Sequence, residues 1–315
     1  MAREIIIGTR DSALALWQTH WVVENLQRLN PQYSFKVIEM KTQGDKILDV
    51  ALAKIGDKGL FTKELEVAML NKETDLAVHS MKDLPTKLPD GLIIGAICER
   101  EEPGDVLISR DGKKLDELPQ GARVGTSSLR RRAQLKKYRP DIQIEDLRGN
   151  LNTRMNKLET QNLDAIILAA AGVVRLGWAD RITQRIPYEV SLPAVGQGSV
   201  GIEIRANDPE VAALVKTLEH RESAVAILAE RAMLRKLEGG CQIPIGALGQ
   251  VSGDELTLEG VVAGLDGKDL IRSSVIGPVD NPEKIGIELA DKLLAMGADE
   301  ILRCVRQEFE ANDSK

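Results

Sequence analysis

Ala165-Ile-Ile-Leu-Ala169 is apolar at every position, and this run limits the possible folds of the chain more than any other feature. A strand that offers no polar side to water has to be covered on both faces, as in a largely parallel sheet between helices. The surrounding segments fit that demand. Residues 4–8, 35–40, 75–80, 92–98, 123–125 and 142–146 read as further short strands, and residues 12–29, 60–70, 128–138 and 152–161 carry apolar side chains at helical spacing. On residues 12–29 the expected inner face is Leu14, Trp17, Trp21, Leu26 and Leu29. Residues 99–105 read as a charged break between two such sets, so the alternation specifies two α/β units.

The grammar changes after residue 221. A helix through Leu237 leads into a glycine-rich segment with Cys241 and Pro244, then to alternating strands at 256–263 and 270–276 about an Asp266-Gly267 turn, then to a helix over 282–296. This predicts a small antiparallel α+β domain. Pro193, Gly196 and Gly198 precede a new strand, as expected where a chain crosses between domains. The expected domains are 1–98 with 199–216, then 104–192, then 221–315.

Composition narrows the ligand. The chain has 315 residues, 43% of them hydrophobic and 29% charged, and a net charge of −6 with 3% aromatics. A nucleic-acid reader calls for a basic face or aromatic stacking platforms, so nucleic acid is not an expected partner. The apolar run at Ile5-Ile-Ile7 is too short for a signal-peptide core, and no stretch approaches a membrane span, so the expectation is a cytoplasmic protein with no membrane partner. The three cysteines have no Cys-x-x-Cys spacing and no nearby histidine, so no metal is expected. Cys98 and Cys304 read as core thiols. Cys241 lies in a loop with little local bulk, where an attachment role and a buried structural role are equally open.

Residues 121–132, Gly-Ala-Arg-Val-Gly-Thr-Ser-Ser-Leu-Arg-Arg-Arg, read as an anion site. A strand end passes through Thr126 and Ser128, which can cap a helix whose free N–H groups favour negative charge. Arginines in the first turn oppose the helix dipole by about 0.3–1 kcal/mol, which bidentate pairing with a carboxylate outweighs. A solvated basic helix face is the alternative for such a run. Lys82 and Asp83 follow the strand 75–80, where open α/β sheets place ligand sites, although an acid beside a lysine is commonly only a surface pair. Arg10, Ser12, Lys58, Arg148, Asn150, Arg154 and Arg175 lie in comparable positions at strand ends or in loops.

Arg10, Lys58-Gly-Leu-Phe, His79-Ser-Met-Lys-Asp, Gly125-Thr-Ser-Ser-Leu-Arg-Arg, Leu147-Arg-Gly-Asn and Glu238-Gly-Gly-Cys241 occur in this order across nearly the whole chain. Together they resemble the porphobilinogen deaminase, or hydroxymethylbilane synthase, family. The resemblance implies two periplasmic-binding-protein-like α/β domains with the active cleft between them, plus a small C-terminal α+β domain with an antiparallel sheet. It implies a monomeric transferase that joins four porphobilinogen molecules head to tail, releases ammonia each time and yields hydroxymethylbilane. By the same resemblance Cys241 holds a dipyrromethane primer through a thioether. Lys82, Asp83, Thr126, Ser128, Arg130, Arg131 and Arg148 contact that cofactor. Arg10, Ser12, Lys58, Arg148, Asn150, Arg154 and Arg175 bind substrate carboxylates. Asp83 is the implied catalytic residue, stabilising the azafulvene-like cation formed on deamination. The rival expectation is a non-catalytic two-domain small-anion binding module. A cysteine-nucleophile acyl transferase is disfavoured because no histidine base is readable.

Overall fold

The computed structural model describes residues 3–46, 59–237 and 243–313, so Lys58 and Cys241 lie outside the described residues. In chain order the first elements are β1 (Glu4–Arg10), α1 (Ala13–Leu29), β2 (Ser34–Met40), the single turn α2 (Gln43–Lys46), α3 (Lys63–Leu70), β3 (Leu76–Ser80), β4 (Leu92–Ile97) and β5 (Asp105–Ser109). Next come β6 (Arg123–Gly125), α4 (Leu129–Tyr138), β7 (Gln143–Glu145), α5 (Leu151–Thr160), β8 (Ala165–Ala169), α6 (Ala170–Arg175), β9 (Gln184–Arg185), β10 (Val200–Arg205) and α7 (Pro209–Lys216). The last are α8 (Arg221–Lys236), β11 (Ile245–Ser252), β12 (Glu255–Ala263), β13 (Leu270–Pro278), α9 (Pro282–Ala295) and α10 (Ala298–Asp313).

One compact unit is drawn from Met1–Leu48, Asp57–Glu101 and Gly198–Ala224. Its sheet has the order β2-β1-β3-β10-β4, with β1 parallel to β2 and β3, and β10 antiparallel to β3 and β4. The core joins Ile5, Ile7, Leu76, Val78, Ile202 and Ile204 of the sheet to Val22 and Leu26 of α1. Full burial of an aliphatic side chain contributes about 1.5–3 kcal/mol, which sets the scale for this contact layer.

The second unit is drawn mainly from Glu102–Gln197 and Val225–Lys315. One of its sheets has the order β7-β6-β8-β5-β9, with β6 parallel to β7 and β8, and β5 antiparallel to β8 and β9. The first unit's sheet has the same pattern of three parallel strands, one reversed strand and an edge. Strand β8 is the apolar run, buried over its first four residues as its composition demands. The other sheet is the antiparallel β11-β12-β13, packed through Leu256, Leu258 and Val262 against Leu289 and Leu293 of α9.

Four expectations need correction. On α1 the buried stripe is Ala15, Gln18, Thr19, Val22 and Leu26, whereas Trp17 is 36% and Leu29 43% exposed. The stripe turned because Gln18 and Thr19 are buried through hydrogen bonds to Ser80 and Thr9, which hydrophobicity alone does not reveal. The charged break ends one residue early, since Asp105 opens β5. The antiparallel sheet has one strand more than the two expected, β11; at its Gly249 a Cβ would lie 3.0 Å from the Ala226 backbone of α8, so the glycine permits close packing. Cys98 is buried as expected, but Cys304 is exposed, with Sγ 3.7 Å from Glu300 Oε1, because the inner stripe of α10 runs through Ala298, Ile301, Leu302 and Val305.

Candidate active site

In the first unit, β1 and β3 are parallel neighbours, so their carboxyl ends deliver Arg10 and the Met81–Asp83 turn to the same end of the sheet. Ser12 caps α1, its Oγ accepting from Ala15 N at 3.3 Å. The Arg10 guanidinium donates to both carboxylate oxygens of Asp45, with Nε to Oδ2 at 3.1 Å, and lies 4.3 Å over the Phe61 ring. Burial pushes the Asp45 carboxyl up, but hydrogen bonds from Arg10 and Thr42 hold it below the ordinary carboxylate range. Arg10 is thus pre-ordered by the protein. In the turn after β3, Met81 is buried while Lys82 and Asp83 are half-buried.

In the second unit, the carboxyl ends of the parallel strands β6, β7 and β8 carry the remaining candidates. After β6, Thr126 Oγ1 accepts from Ser128 N at 3.2 Å, and Ser128 caps α4, its Oγ accepting from Arg131 N at 3.4 Å. Ser127 Oγ accepts from Leu147 N at 2.9 Å, tying this motif to the next. Asn150 caps α5 by accepting from Thr153 N at 2.9 Å, and Arg154 Nε donates to Gly149 O at 2.8 Å. Arg148 precedes that cap and holds a buried Nη1 group with no hydrogen-bond partner among the described residues. Arg175 closes α6, directly after β8. Two capped helix starts with a cation beside them form an arrangement suited to carboxylates.

Arg130 and Arg131 stand differently from an exposed basic run: each is 5% exposed, while Arg132 is exposed. Both meet Asp105, a side chain with no exposure. Arg130 Nη1 donates to Asp105 Oδ2 at 2.7 Å and to Leu192 O at 2.6 Å, while its Nε is buried without a hydrogen-bond partner among the described residues. Arg131 donates through Nε and Nη2 to Asp105 Oδ1 at 3.0 and 2.7 Å, and through Nη1 to Ile167 O at 2.9 Å. Gln197 Nε2 adds a donor to Asp105 at 2.9 Å. Burial pushes the Asp105 carboxyl up, but the two guanidiniums outweigh it and hold the group far below the carboxylate range. Sequence reasoning missed Asp105; the available signal was a carboxylate opening the apolar run Val106-Leu-Ile108, which burial requires to be paired.

Among the described residues no group of three or more His, Cys, Asp or Glu could hold a metal, and no helix is long and apolar enough to cross a membrane. Residues 5–213 match the family described as porphobilinogen deaminase, dipyromethane cofactor binding domain, and residues 224–295 match the porphobilinogen deaminase C-terminal domain. The porphobilinogen deaminase of Desulforamulus reducens is 62% identical over 306 residues, covering 97% of this chain and 99% of the relative. That of Pelotomaculum thermopropionicum is 63% identical over 308 residues, covering 98% and 99%. That of Synechococcus elongatus is 60% identical over 304 residues, covering 96% and 95%. Among solved structures, a Salmonella typhimurium periplasmic binding protein aligns over 71% of this chain and 94% of its own at 14% identity and a TM-score of 0.40.

Proposed function

This chain belongs to the porphobilinogen deaminase family, and from that membership we propose how its residues divide the reaction among them. It is an enzyme of tetrapyrrole biosynthesis that condenses four porphobilinogen molecules head to tail, with loss of ammonia, into hydroxymethylbilane. The match of both family domains sets aside the non-catalytic anion-binding module.

Each pyrrole of substrate and primer carries an acetate and a propionate, so the ligand is a polycarboxylate. The observation that best supports the assignment is the buried Nη1 of Arg148, unpartnered among the described residues, with the capped starts of α4 and α5, a donor set that fits such a ligand. The dipyrromethane, held by a thioether to Cys241, supplies the pyrrole carbon to which the first substrate is joined. Lys82, Thr126, Ser128 and Arg148 hold its carboxylates. Arg130 and Arg131 do so with the N–H groups that Asp105 leaves to them, their guanidiniums already fixed in direction. Arg10, Ser12, Lys58, Asn150, Arg154 and Arg175, with Arg148, receive the carboxylates of incoming substrate. Asp83 accepts hydrogen bonds from pyrrole N–H groups and stabilises the positive charge that develops on the substrate as ammonia leaves. The same reading makes the protein a cytoplasmic, monomeric transferase with domains at 1–98 with 199–216, 104–192 and 221–315.

Arg148→Leu tests the assignment. Removing one partner of a desolvated charge pair costs about 2–5 kcal/mol, so kcat/KM for porphobilinogen falls by at least about 30-fold in an assay of ammonia release. Parental kcat/KM with normal primer content would remove Arg148 from the site.

A further inference from the structure

Behind the Met81–Asp83 turn lies a buried polar cluster that this division of labour does not use. His79 Nε2 sits 3.0 Å from Glu203 Oε2, and the two side chains are 3% and 0% exposed. The contact is close without being aligned as a hydrogen bond, and neither Glu203 oxygen accepts a hydrogen bond from another described residue. Glu66 of α3, also buried, is coupled electrostatically to both; burial pushes its carboxyl up, and the Glu203 charge adds to that effect.

The cluster spans the ladder that supports the turn. Strand β1 reaches β3 only at Leu76 and Ala77, so Val78, His79 and Ser80 join the sheet through β10, opposite Ile202, Gly201 and Val200. Met81 N donates to Ser199 O at 2.9 Å, and Met81 packs so closely on Gly201 that a Cβ there would lie 2.2 Å from its Sδ. Strand alternation puts Ser80 on the opposite face from His79, where Gln18 Nε2 of α1 donates to its hydroxyl at 3.0 Å. The end of β3 is gripped on both faces, and the contact of His79 with Glu203 is the grip on the α3 side. A buried pair adds little net stability, because desolvation offsets its attraction and apolar replacements of similar volume are often as stable. Its use here therefore points to a role in fixing geometry.

We propose that His79 and Glu203 are positioning residues for turnover: their contact fixes the end of β3 on β10 and with it the placement of Asp83. The inference rests on Asp83 being the catalytic carboxylate. The test compares holoenzymes carrying Glu203→Gln, or the double change His79→Leu with Glu203→Leu, by intact mass, thermal midpoint, kcat and KM. Glu203→Gln keeps its primer, loses about tenfold or more in kcat and holds KM within about twofold. The double variant regains the parental thermal midpoint while kcat stays depressed. Parental kcat in Glu203→Gln, a change confined to KM, or kcat that recovers with stability in the double variant would each reduce the pair to scaffolding and overturn the inference. If the double variant does not fold, the split between kcat and KM in Glu203→Gln decides alone. Asp83→Asn measured alongside separates the two claims: parental turnover there overturns the Asp83 reading, whereas lost turnover there with parental turnover in Glu203→Gln overturns this inference only.

Discussion

Asp83→Asn keeps the primer and loses turnover by about 10²–10⁴-fold, the range over which a positioned acid or base contributes to a reaction. The amide is nearly isosteric and sits in a turn whose buried residue is Met81, so the variant is expected to fold and bind as before. It cannot balance the positive charge that forms when ammonia leaves. Steady-state kinetics checks this: kcat falls while KM stays close to parental, whereas a raised KM with unchanged kcat would make Asp83 a binding residue.

Asp105→Asn strikes at stability as well as at the primer. Its carboxylate is wholly buried against two guanidiniums, and removing the charge leaves both without their counter-ion, at a cost of about 3–5 kcal/mol. The pH dependence follows from the direction of the shift. Because the folded carboxyl titrates far below its unfolded value of about 4, the stabilisation is fully present above that pH and fades as the solution becomes more acidic. Denaturant unfolding of parental and variant protein gives a gap that is constant from neutral pH down to about 4 and narrows below it. A gap that closes between pH 5 and 7 would mean that Asp105 is not the ionised partner. Arg130 and Arg131 lose their orientation together in this variant, so the protein also accumulates without primer.

How much of this was legible in the chain depends on whether the signal was local. The wholly apolar β8 demanded a covered sheet, and the hydroxyl cap Ser128 announced its helix, because periodicity and capping are written in adjacent residues. The strand-end positions of Arg10, Lys82 and Asp83 followed from the same local grammar. Three features were not legible, and each depends on a partner distant in sequence. Arg130 and Arg131 turn inward because Asp105 awaits them, 25 and 26 residues away in the chain. The inner stripe of α1 includes Gln18 because Ser80 accepts its hydrogen bond, 62 residues away. The buried contact of His79 with Glu203 exists only because β10 returns to the first sheet beside β3. Buried polar pairs defeat hydropathy patterns, since each member reads as a surface residue until the other is known.

Intact-protein and peptide mass analysis of the parental chain and of Cys241→Ser tests the central claim most directly. A serine hydroxyl is far less nucleophilic than a thiolate at neutral pH and forms no thioether. The account predicts that the parental protein carries the mass of a dipyrromethane on the peptide containing residue 241, gains pyrrole increments on limited porphobilinogen, and that Cys241→Ser carries neither. The same adduct on Cys241→Ser, or an adduct on the buried Cys98 or the exposed Cys304 of the parental protein, would contradict it.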